Sequence, residues 1–146
     1  MLVRDLLKTK TRAVITIVPE AVVARAMHLL LANRISCLPV VDSGGMLRGI
    51  ISDKDIFRAA HDRDRDFKTI PVADLMTTDL IIGVLDDDIE YIAAVMTNNR
   101  IRHVPIIDDG RLANLLSIGD ILKAQLRDLK VDNRYLRQYI DGAYPG

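Results

Sequence analysis

The sequence predicts an α/β fold in which a β-α-β-β-α unit occurs twice in tandem. The first observation behind this prediction is internal duplication, because similar residues recur in the same order at an offset of 66 and then 65 positions. The second is that each copy alternates short β-branched runs with an amphipathic stretch at helical spacing. The matched positions are residues 33–35 with 99–101, Pro39 with Pro105, Asp42 with Asp108, Ser52 with Ser117, and Asp55 with Asp120.

The predicted elements follow the same order in both units. In the first and second unit respectively, they are a strand at residues 15–18 and 80–84, a helix at 21–33 and 88–99, a strand at 37–41 and 104–107, a strand at 47–52 and 112–117, and a closing helix from residue 53 and residue 118. Asp87 and Glu90 fit a capping box at the start of the second unit's first helix. Because the strands are too apolar to face water on both sides, we expect the units to pack sheet to sheet.

These patterns divide the chain into four segments. We assign residues 1–60 to the first repeat, 61–70 to a charged linker, 71–125 to the second repeat and 126–146 to a helical C-terminal extension. In the linker, Asp62, Asp64 and Asp66 resemble the start of a calcium loop, but Phe67 and Ala73 replace the Gly and Glu that such a loop requires. A solvated linker is the better interpretation, and we predict no metal site.

Composition and charge argue against several classes of function. The chain has 20 Lys and Arg residues against 20 Asp and Glu residues, and this balance disfavours nucleic-acid binding. The single cysteine, Cys37, excludes an intramolecular disulfide and a cysteine-rich zinc site. No apolar run is long enough for a membrane span, and residues 1–13 lack the apolar core of a signal peptide. We therefore expect a cytoplasmic location and no contact with a membrane.

Two pairs of segments in this sequence resemble the CBS domain. They are residues 35–42 (ISCLPVVD) with 49–56 (GIISDKDI), and residues 101–108 (IRHVPIID) with 115–121 (LLSIGDI). The resemblance covers roughly residues 1–125. It implies a Bateman module, similar to the stand-alone bacterial type, in which adenosine-containing ligands bind in clefts between the repeats. The ligands that it implies are AMP, ADP, ATP, NAD or S-adenosylmethionine, and we expect AMP, ATP or NAD.

The resemblance also implies where such a ligand binds. The family's ligand motif is a Ser or Thr followed three residues later by an Asp, and its matches here are Ser52 with Asp55 and Ser117 with Asp120. A carboxylate accepts hydrogen bonds from a ribose diol, while a hydroxyl and the free amides of a helix N-terminus suit a phosphate. The same spacing is close to that of a helix capping box, which is the alternative interpretation.

The second unit carries more phosphate-binding chemistry than the first. Arg102 and His103 precede Pro105, where the first unit has Ser36 and Cys37, and in the family this segment borders the ligand. Arg offers a planar fork to phosphate oxygens, and His offers a charge that switches near neutral pH. The alternative is that they are two exposed polar residues at the start of a strand.

We therefore expect two pockets of unequal quality. Gly83 supports the first, because glycine within a strand often marks close approach of a ligand or of backbone. Cys37 either lines the other cleft or is a buried, inert thiol. The expected first pocket contains Gly83, Arg102, His103, Pro105, Ser117 and Asp120, and the expected second pocket contains Ser36, Cys37, Ser52 and Asp55.

The C-terminal extension predicts a contact with a second copy of the chain. Its heptad positions, spaced alternately four and three residues apart, are Leu122, Leu126, Leu129, Asn133, Leu136 and Ile140. The pattern fits either a parallel coiled coil, in which Asn133 fixes the register, or a helix that packs on its own domain. Because paired CBS domains usually dimerise, we expect a homodimer in either case.

These observations favour a regulatory function without catalysis. We predict a module that binds an adenosine-containing nucleotide between its repeats and signals through a dimer to a target protein that the sequence does not identify. The alternative is a structural dimerisation module with vestigial pockets. An enzyme is disfavoured, because the sequence has no recognisable nucleophile elbow, no Walker-type glycine loop and no metal-ligand cluster, and we expect no catalytic cofactor.

Overall fold

The computed structural model describes residues 1–62, 66–128 and 140. The elements in chain order are α1 (Val3–Thr9), α2 (Val23–Asn33), β1 (Cys37–Val41), β2 (Leu47–Ser52), α3 (Asp53–Asp62), a 3-10 helix η1 (Val72–Asp74), β3 (Gly83–Val84), α4 (Ile89–Asn99), β4 (His103–Asp108), β5 (Arg111–Ser117) and α5 (Ile118–Asp128). The order of helices and strands repeats between the two halves. The predicted α/β fold of two tandem units is confirmed.

Each unit contains one small sheet. In the first unit, β1 and β2 form an antiparallel pair that places Cys37 opposite Ser52. In the second unit, β4 lies between β3, which is parallel to it, and β5, which is antiparallel and places Ser117 opposite His103. The closing helices α3 and α5 begin directly after β2 and β5. Both Ser-x-x-Asp motifs therefore lie at a junction between a strand and a helix, as expected.

The first predicted strand of each unit is shorter than its apolar run suggests. In the first unit it is reduced to Ile17, whose N–H donates to the carbonyl of Pro39 at 3.1 Å and whose carbonyl accepts from the N–H of Val41 at 2.9 Å. Pro19 follows two residues later and has no N–H to continue the ladder. In the second unit, only β3 (Gly83–Val84) remains of the predicted strand at 80–84.

The second unit's first helix, α4, begins one residue later than the predicted capping box requires. Asp88, not Asp87, is the N-cap, and its carboxylate accepts from the N–H of Glu90 at 2.8 Å. Asp87 is used before the helix, where its carboxylate accepts from the N–H of Val84 at 2.9 Å. The capping box at Asp87 is therefore wrong, because this side chain closes the turn after β3.

The segment that precedes each unit packs into the core of the other unit. Val3 and Leu6 of α1 lie in the core of the second half, with Ile89, Ile92, Met96, Val104, Ile106, Leu116, Ile121 and Ala124. Val72 of η1 lies in the core of the first half, with Ile17, Val23, Ala26, Leu30, Leu38, Val40, Ile51 and Ile56. Each half therefore has its own core, but neither residues 1–60 nor residues 71–125 complete that core alone, since each half contributes a segment to the other.

Backbone hydrogen bonds hold both exchanged segments in place. The N–H of Val3 donates to the carbonyl of Asp87 at 2.8 Å, and the N–H of Val72 donates to the carbonyl of Ala21 at 2.7 Å. Both valines are fully buried. The two segments are also similar in sequence, since residues 3–7 read VRDLL and residues 72–76 read VADLM. This match belongs to the duplication, because both segments precede a unit and both fill the core of its neighbour.

Two features of the sequence fall partly outside the described residues. Of the heptad positions, Leu129, Asn133 and Leu136 lie outside them, so the coiled coil stays a prediction. Asp64, in the middle of the linker's aspartate series, also lies outside them.

Candidate functional site

A cavity of about 1020 Å³ lies between the two units. Seven of the predicted site residues line it: Ser36, Cys37, Ser52, Asp55, Arg102, His103 and Pro105. Gly83, Ser117 and Asp120 are not among its lining residues. This grouping differs from the expected one, in which Arg102 and His103 accompany Asp120. The reason is that the cavity lies between the start of α3, in the first unit, and the start of β4, in the second unit.

Ser52 and Asp55 form a capping box at the start of α3. The N–H and the hydroxyl of Ser52 donate to Asp55 Oδ2 at 2.9 and 3.0 Å, and the N–H of Asp55 lies 3.2 Å from Ser52 Oγ. The exposed Thr77 donates to the other carboxylate oxygen, Oδ1, across a longer 3.3 Å. The box therefore uses mainly one oxygen of Asp55, and the carboxylate as a whole still borders the cavity.

Ser117 and Asp120 form the same box at the start of α5. The N–H of Ser117 donates to Asp120 Oδ2 at 2.9 Å, and the N–H of Asp120 donates to Ser117 Oγ at 3.1 Å. Here a cation is added, since Lys10 Nζ lies 2.9 Å from the same Oδ2. Burial alone would raise the pKa of Asp120, but hydrogen bonds from Ser117 and the charge of Lys10 hold this pKa below its usual value.

The cavity has acidic and basic groups from different units. Asp53 and Asp55 come from the start of α3, whereas Arg100 and Arg102 come from the segment before β4. Lys54 and Asp79 also line the cavity. Arg100 ends α4 in a left-handed conformation (φ 55°), which is uncommon for a residue other than glycine. One cavity thus offers a carboxylate for a sugar and guanidinium groups for a phosphate.

His103 adds an imidazole to the basic side of this cavity. Burial holds the pKa of His103 below its usual value, and the neighbouring carboxylate of Asp120 offsets only part of that effect. The neutral ring is therefore the main form at pH 7, and it presents one hydrogen-bond donor and one acceptor. His103 therefore changes its charge at a more acidic pH than the near-neutral value that the sequence predicts.

A protein-family comparison identifies this arrangement. The family model described as "CBS domain" matches residues 3–62 and again residues 72–127. The chain belongs to the CBS domain family. A relative from Bacillus subtilis, the CBS domain-containing protein YhcV, is 30% identical over 118 residues, which are 81% of this chain and 83% of that protein.

Two solved structures of CBS proteins resemble this chain and hold adenosine compounds. The CBS domain pair of protein MJ0100, in complex with 5′-methylthioadenosine and S-adenosyl-L-methionine, has a TM-score of 0.73 and 28% identity, covering 90% of this chain and 98% of that one. CBSX2 in complex with AMP has a TM-score of 0.78 and 25% identity, covering 88% and 98%. Both likenesses extend over the two CBS repeats.

Both sequence-based interpretations of Cys37, as a residue that lines a cleft and as a buried thiol, apply in the first CBS repeat. It lines the cavity, and it is also buried at the start of β1. Burial, together with the nearby Asp53 and Asp55, raises the pKa of its thiol to about 12. The thiol is therefore protonated at neutral pH and is a poor nucleophile.

This burial predicts that Cys37 resists alkylation in the folded protein. Since about 10⁻⁴ of a thiol with this pKa is ionised at pH 8, iodoacetamide is expected to leave Cys37 unlabelled over an hour. The same chain unfolded in guanidinium is expected to be labelled completely, and mass spectrometry measures both. Rapid stoichiometric labelling of the folded protein would contradict this description of the thiol.

Gly83 of the second CBS repeat has a role in packing. It is buried in β3, and a Cβ atom there would lie 2.9 Å from the terminal methyls of both Ile92 and Ile106. The close approach that a glycine in a strand suggested is therefore to the protein's own core side chains. Gly83 allows α4 and β4 to approach β3 closely.

Sequence reasoning missed several residues at these sites. Lys10 and Thr77, which contact Asp120 and Asp55 respectively, both lie in the segment that precedes a unit's first strand. Extending the match of residues 3–7 with 72–76 toward the first strands would have drawn attention to both segments. Lys54, Arg100 and Asp79 were also missed, because no local pattern distinguishes a charged residue that lines a cavity from one that faces water.

The described part of the chain lacks two further features. No helix in residues 1–62 and 66–128 has the length and apolar character needed to cross a membrane. In the same residues, no cluster of three or more His, Cys, Asp or Glu side chains has an arrangement that could hold a metal ion.

Proposed function

We propose that this chain is a non-catalytic regulatory module that binds an adenosine-containing nucleotide, of the AMP, ADP, ATP or NAD class, in the cavity between its CBS repeats. The observation that carries the proposal is that Asp55 and Arg102, from different repeats, line the same cavity. A nucleotide needs both a partner for its sugar and a partner for its phosphate, and this cavity supplies both.

The chemistry of the walls fits the three parts of a nucleotide. The carboxylate of Asp55 accepts hydrogen bonds from the two ribose hydroxyls. The guanidinium groups of Arg100 and Arg102 pair with phosphate oxygens through charge-assisted hydrogen bonds. The apolar lining suits the faces of an adenine ring, and it consists of Ile50, Leu80, Ile81, Met96, Ile101 and Pro105.

The relatives support an adenosine compound, and the charges support a phosphorylated one. CBSX2 holds AMP, and the MJ0100 pair holds 5′-methylthioadenosine and S-adenosyl-L-methionine. Neither of the latter ligands carries a phosphate. The cavity wall also carries three carboxylates, but Arg100 and Arg102 lie together on the segment before β4, and this local positive charge favours AMP, ATP or NAD over such ligands.

The proposed signalling step requires two states of the molecule. A bound nucleotide shifts their populations only if it binds one state more tightly than the other. Because the cavity joins the two repeats, a ligand that contacts both stabilises one arrangement of the repeats. We propose that this arrangement is read out through a homodimer in the cytoplasm, by a target protein that recognises one of the two states.

A ligand series with an Arg102→Ala variant tests the proposed function. For the wild type, isothermal titration is expected to show AMP and ATP binding more tightly than adenosine. In Arg102→Ala, affinity for AMP is expected to fall about 10-fold, as for loss of one hydrogen bond to a charged group, while affinity for adenosine changes little. Arg25→Ala, an exposed arginine on α2, is the matched control.

A second candidate function is a structural dimerisation module with vestigial pockets. It is favoured by the two Ser-x-x-Asp boxes, because each is already accounted for as a helix cap. That candidate predicts no heat of binding for any adenine compound, and the same dimer with and without nucleotide. Absence of binding by the wild type at millimolar ligand would overturn the sensing function and leave this one.

A further inference from the structure

The ammonium group of Lys10 lies beside the carboxylate of Asp120 and donates a hydrogen bond to it. Its Nζ donates to Asp120 Oδ2 at 2.9 Å, to the carbonyl of Leu115 at 2.6 Å and to Asn114 Oδ1 at 3.3 Å. These acceptors match in number the three N–H donors of an ammonium group. The side chains of Lys10 and Asp120 are only 19% and 23% exposed, so salt screens their attraction weakly. We call these four residues, with Ser117, the Asp120 site.

The first repeat has a neutral group where the second repeat has this cation. Thr77 lies beside Ile50, with which it exchanges two backbone hydrogen bonds of 2.8 and 2.9 Å, and its hydroxyl reaches Asp55 at 3.3 Å. Ile50 is the counterpart of Leu115 in the duplicated sequence. Both carboxylates thus receive a contact from the segment that precedes a unit, but only Asp120 receives a full positive charge from it.

A second difference between the repeats supports the same contact. Gly49 of the first repeat corresponds to Asn114 of the second. A Cβ atom at Gly49 would lie 2.8 Å from the carbonyl oxygen of Thr77, so the Thr77 segment leaves no room for a side chain there. Asn114 has that room, and its side chain accepts from Lys10 and from the N–H of Leu115 at 2.8 Å. The replacement of Gly by Asn therefore completes the Lys10 contact.

We propose that Lys10 is an internal ligand that closes the Asp120 site, so that each chain binds one nucleotide, at Asp55, and Lys10 determines which of the two carboxylates is used. This inference rests on the proposed function. A sugar that competes for Asp120 must displace the ammonium group and leave it without its partner. Separating a partly buried ion pair in this way lowers affinity by a factor on the order of 100.

The test counts AMP molecules bound per chain by isothermal titration. The wild type is expected to bind one AMP. Lys10→Gln removes the charge and is expected to bind two, with the second event absent from the double variant Lys10→Gln/Asp120→Asn. Lys8→Gln changes an exposed lysine on α1, the helix that ends immediately before Lys10; it is the matched control and is expected to bind one.

The possible results separate this inference from the proposed function. Two AMP molecules on the wild type, or one on a folded Lys10→Gln variant, would overturn the inference while leaving the proposed function standing. No AMP bound to the wild type would overturn the proposed function, and the inference with it. Circular dichroism of each variant establishes that it is folded.

Two further measurements apply if Lys10→Gln does not fold. Lys10→Met keeps the aliphatic stem of the side chain and is expected to show the same gain of a second AMP. Asp120→Asn in the otherwise wild-type chain leaves Lys10 in place and is expected to bind one AMP with unchanged affinity. A fall in AMP affinity in this variant would show that Asp120 already binds ligand, and would overturn the inference.

Discussion

Replacing Asp55 with Asn is expected to weaken AMP binding about 30-fold, which corresponds to about 2 kcal/mol. The reason is that the carboxylate loses its charge where a ribose diol needs an acceptor. The amide keeps nearly the same shape, and its oxygen still accepts from Ser52, so α3 keeps its cap. Isothermal titration of AMP into wild type and variant measures the change.

Asp120→Asn is a closely matched control for this change. Both carboxylates accept from the N–H of the serine three residues earlier, at 2.9 Å in each case, so both substitutions alter a helix cap in the same way. Only Asp55 borders the cavity. Equal losses of AMP affinity in the two variants would mean that the loss is not specific to the carboxylate that borders the cavity, and the assignment of the sugar contact to Asp55 alone would be wrong.

Much of the fold follows from local pattern, and the structure shows which part does. The bounds of β1 and β2 and the starts of α3 and α5 agree with the prediction, because alternation, turn residues and helix-capping residues are all local signals. The first strands were overestimated, since a β-branched run does not reveal whether a neighbouring strand is available along its whole length. Of residues 15–18, only Ile17 pairs with a neighbouring strand, at Val40.

The residue types of the candidate site were also predictable, but their grouping was not. Ser52 and Asp55 come from the duplicated motif, whereas Arg102 and His103 come from the resemblance to the CBS domain, because the first repeat has Ser36 and Cys37 at their positions. Which serine–aspartate pair shares a cavity with Arg102 depends on how the two repeats face each other, and a repeat pattern carries no such information. Lys10 illustrates the limit most clearly, because its partner Asp120 is 110 residues away in sequence.

Replacing Leu6 with Ala is expected to lower the free energy of unfolding by about 3 kcal/mol. Leu6 is 2% exposed and lies in the core of the second CBS repeat, although it precedes the first repeat in sequence. Its truncation leaves a cavity among Ile, Leu and Met side chains that collapses only in part. Urea unfolding followed by circular dichroism measures the change.

Leu31→Ala provides the control, since Leu31 is 79% exposed on α2 and its truncation is expected to cost less than about 0.5 kcal/mol. A cost below about 1 kcal/mol for Leu6→Ala would contradict the packing of α1 described here.

The unfolding curve of the Leu6→Ala variant also tests whether the two CBS repeats unfold together. If each CBS repeat folded alone, loss of a contact in the second core would destabilise that repeat and split the unfolding curve into two steps. Because α1 fills the second core and η1 fills the first, neither core is complete without a segment from the other half. The variant is therefore expected to unfold in one transition at lower urea with an unchanged slope, since both halves lose their structure together. A two-step curve would show that the exchanged segments do not couple the repeats. In that case a nucleotide bound between them would have no rigid element through which to act on the whole molecule.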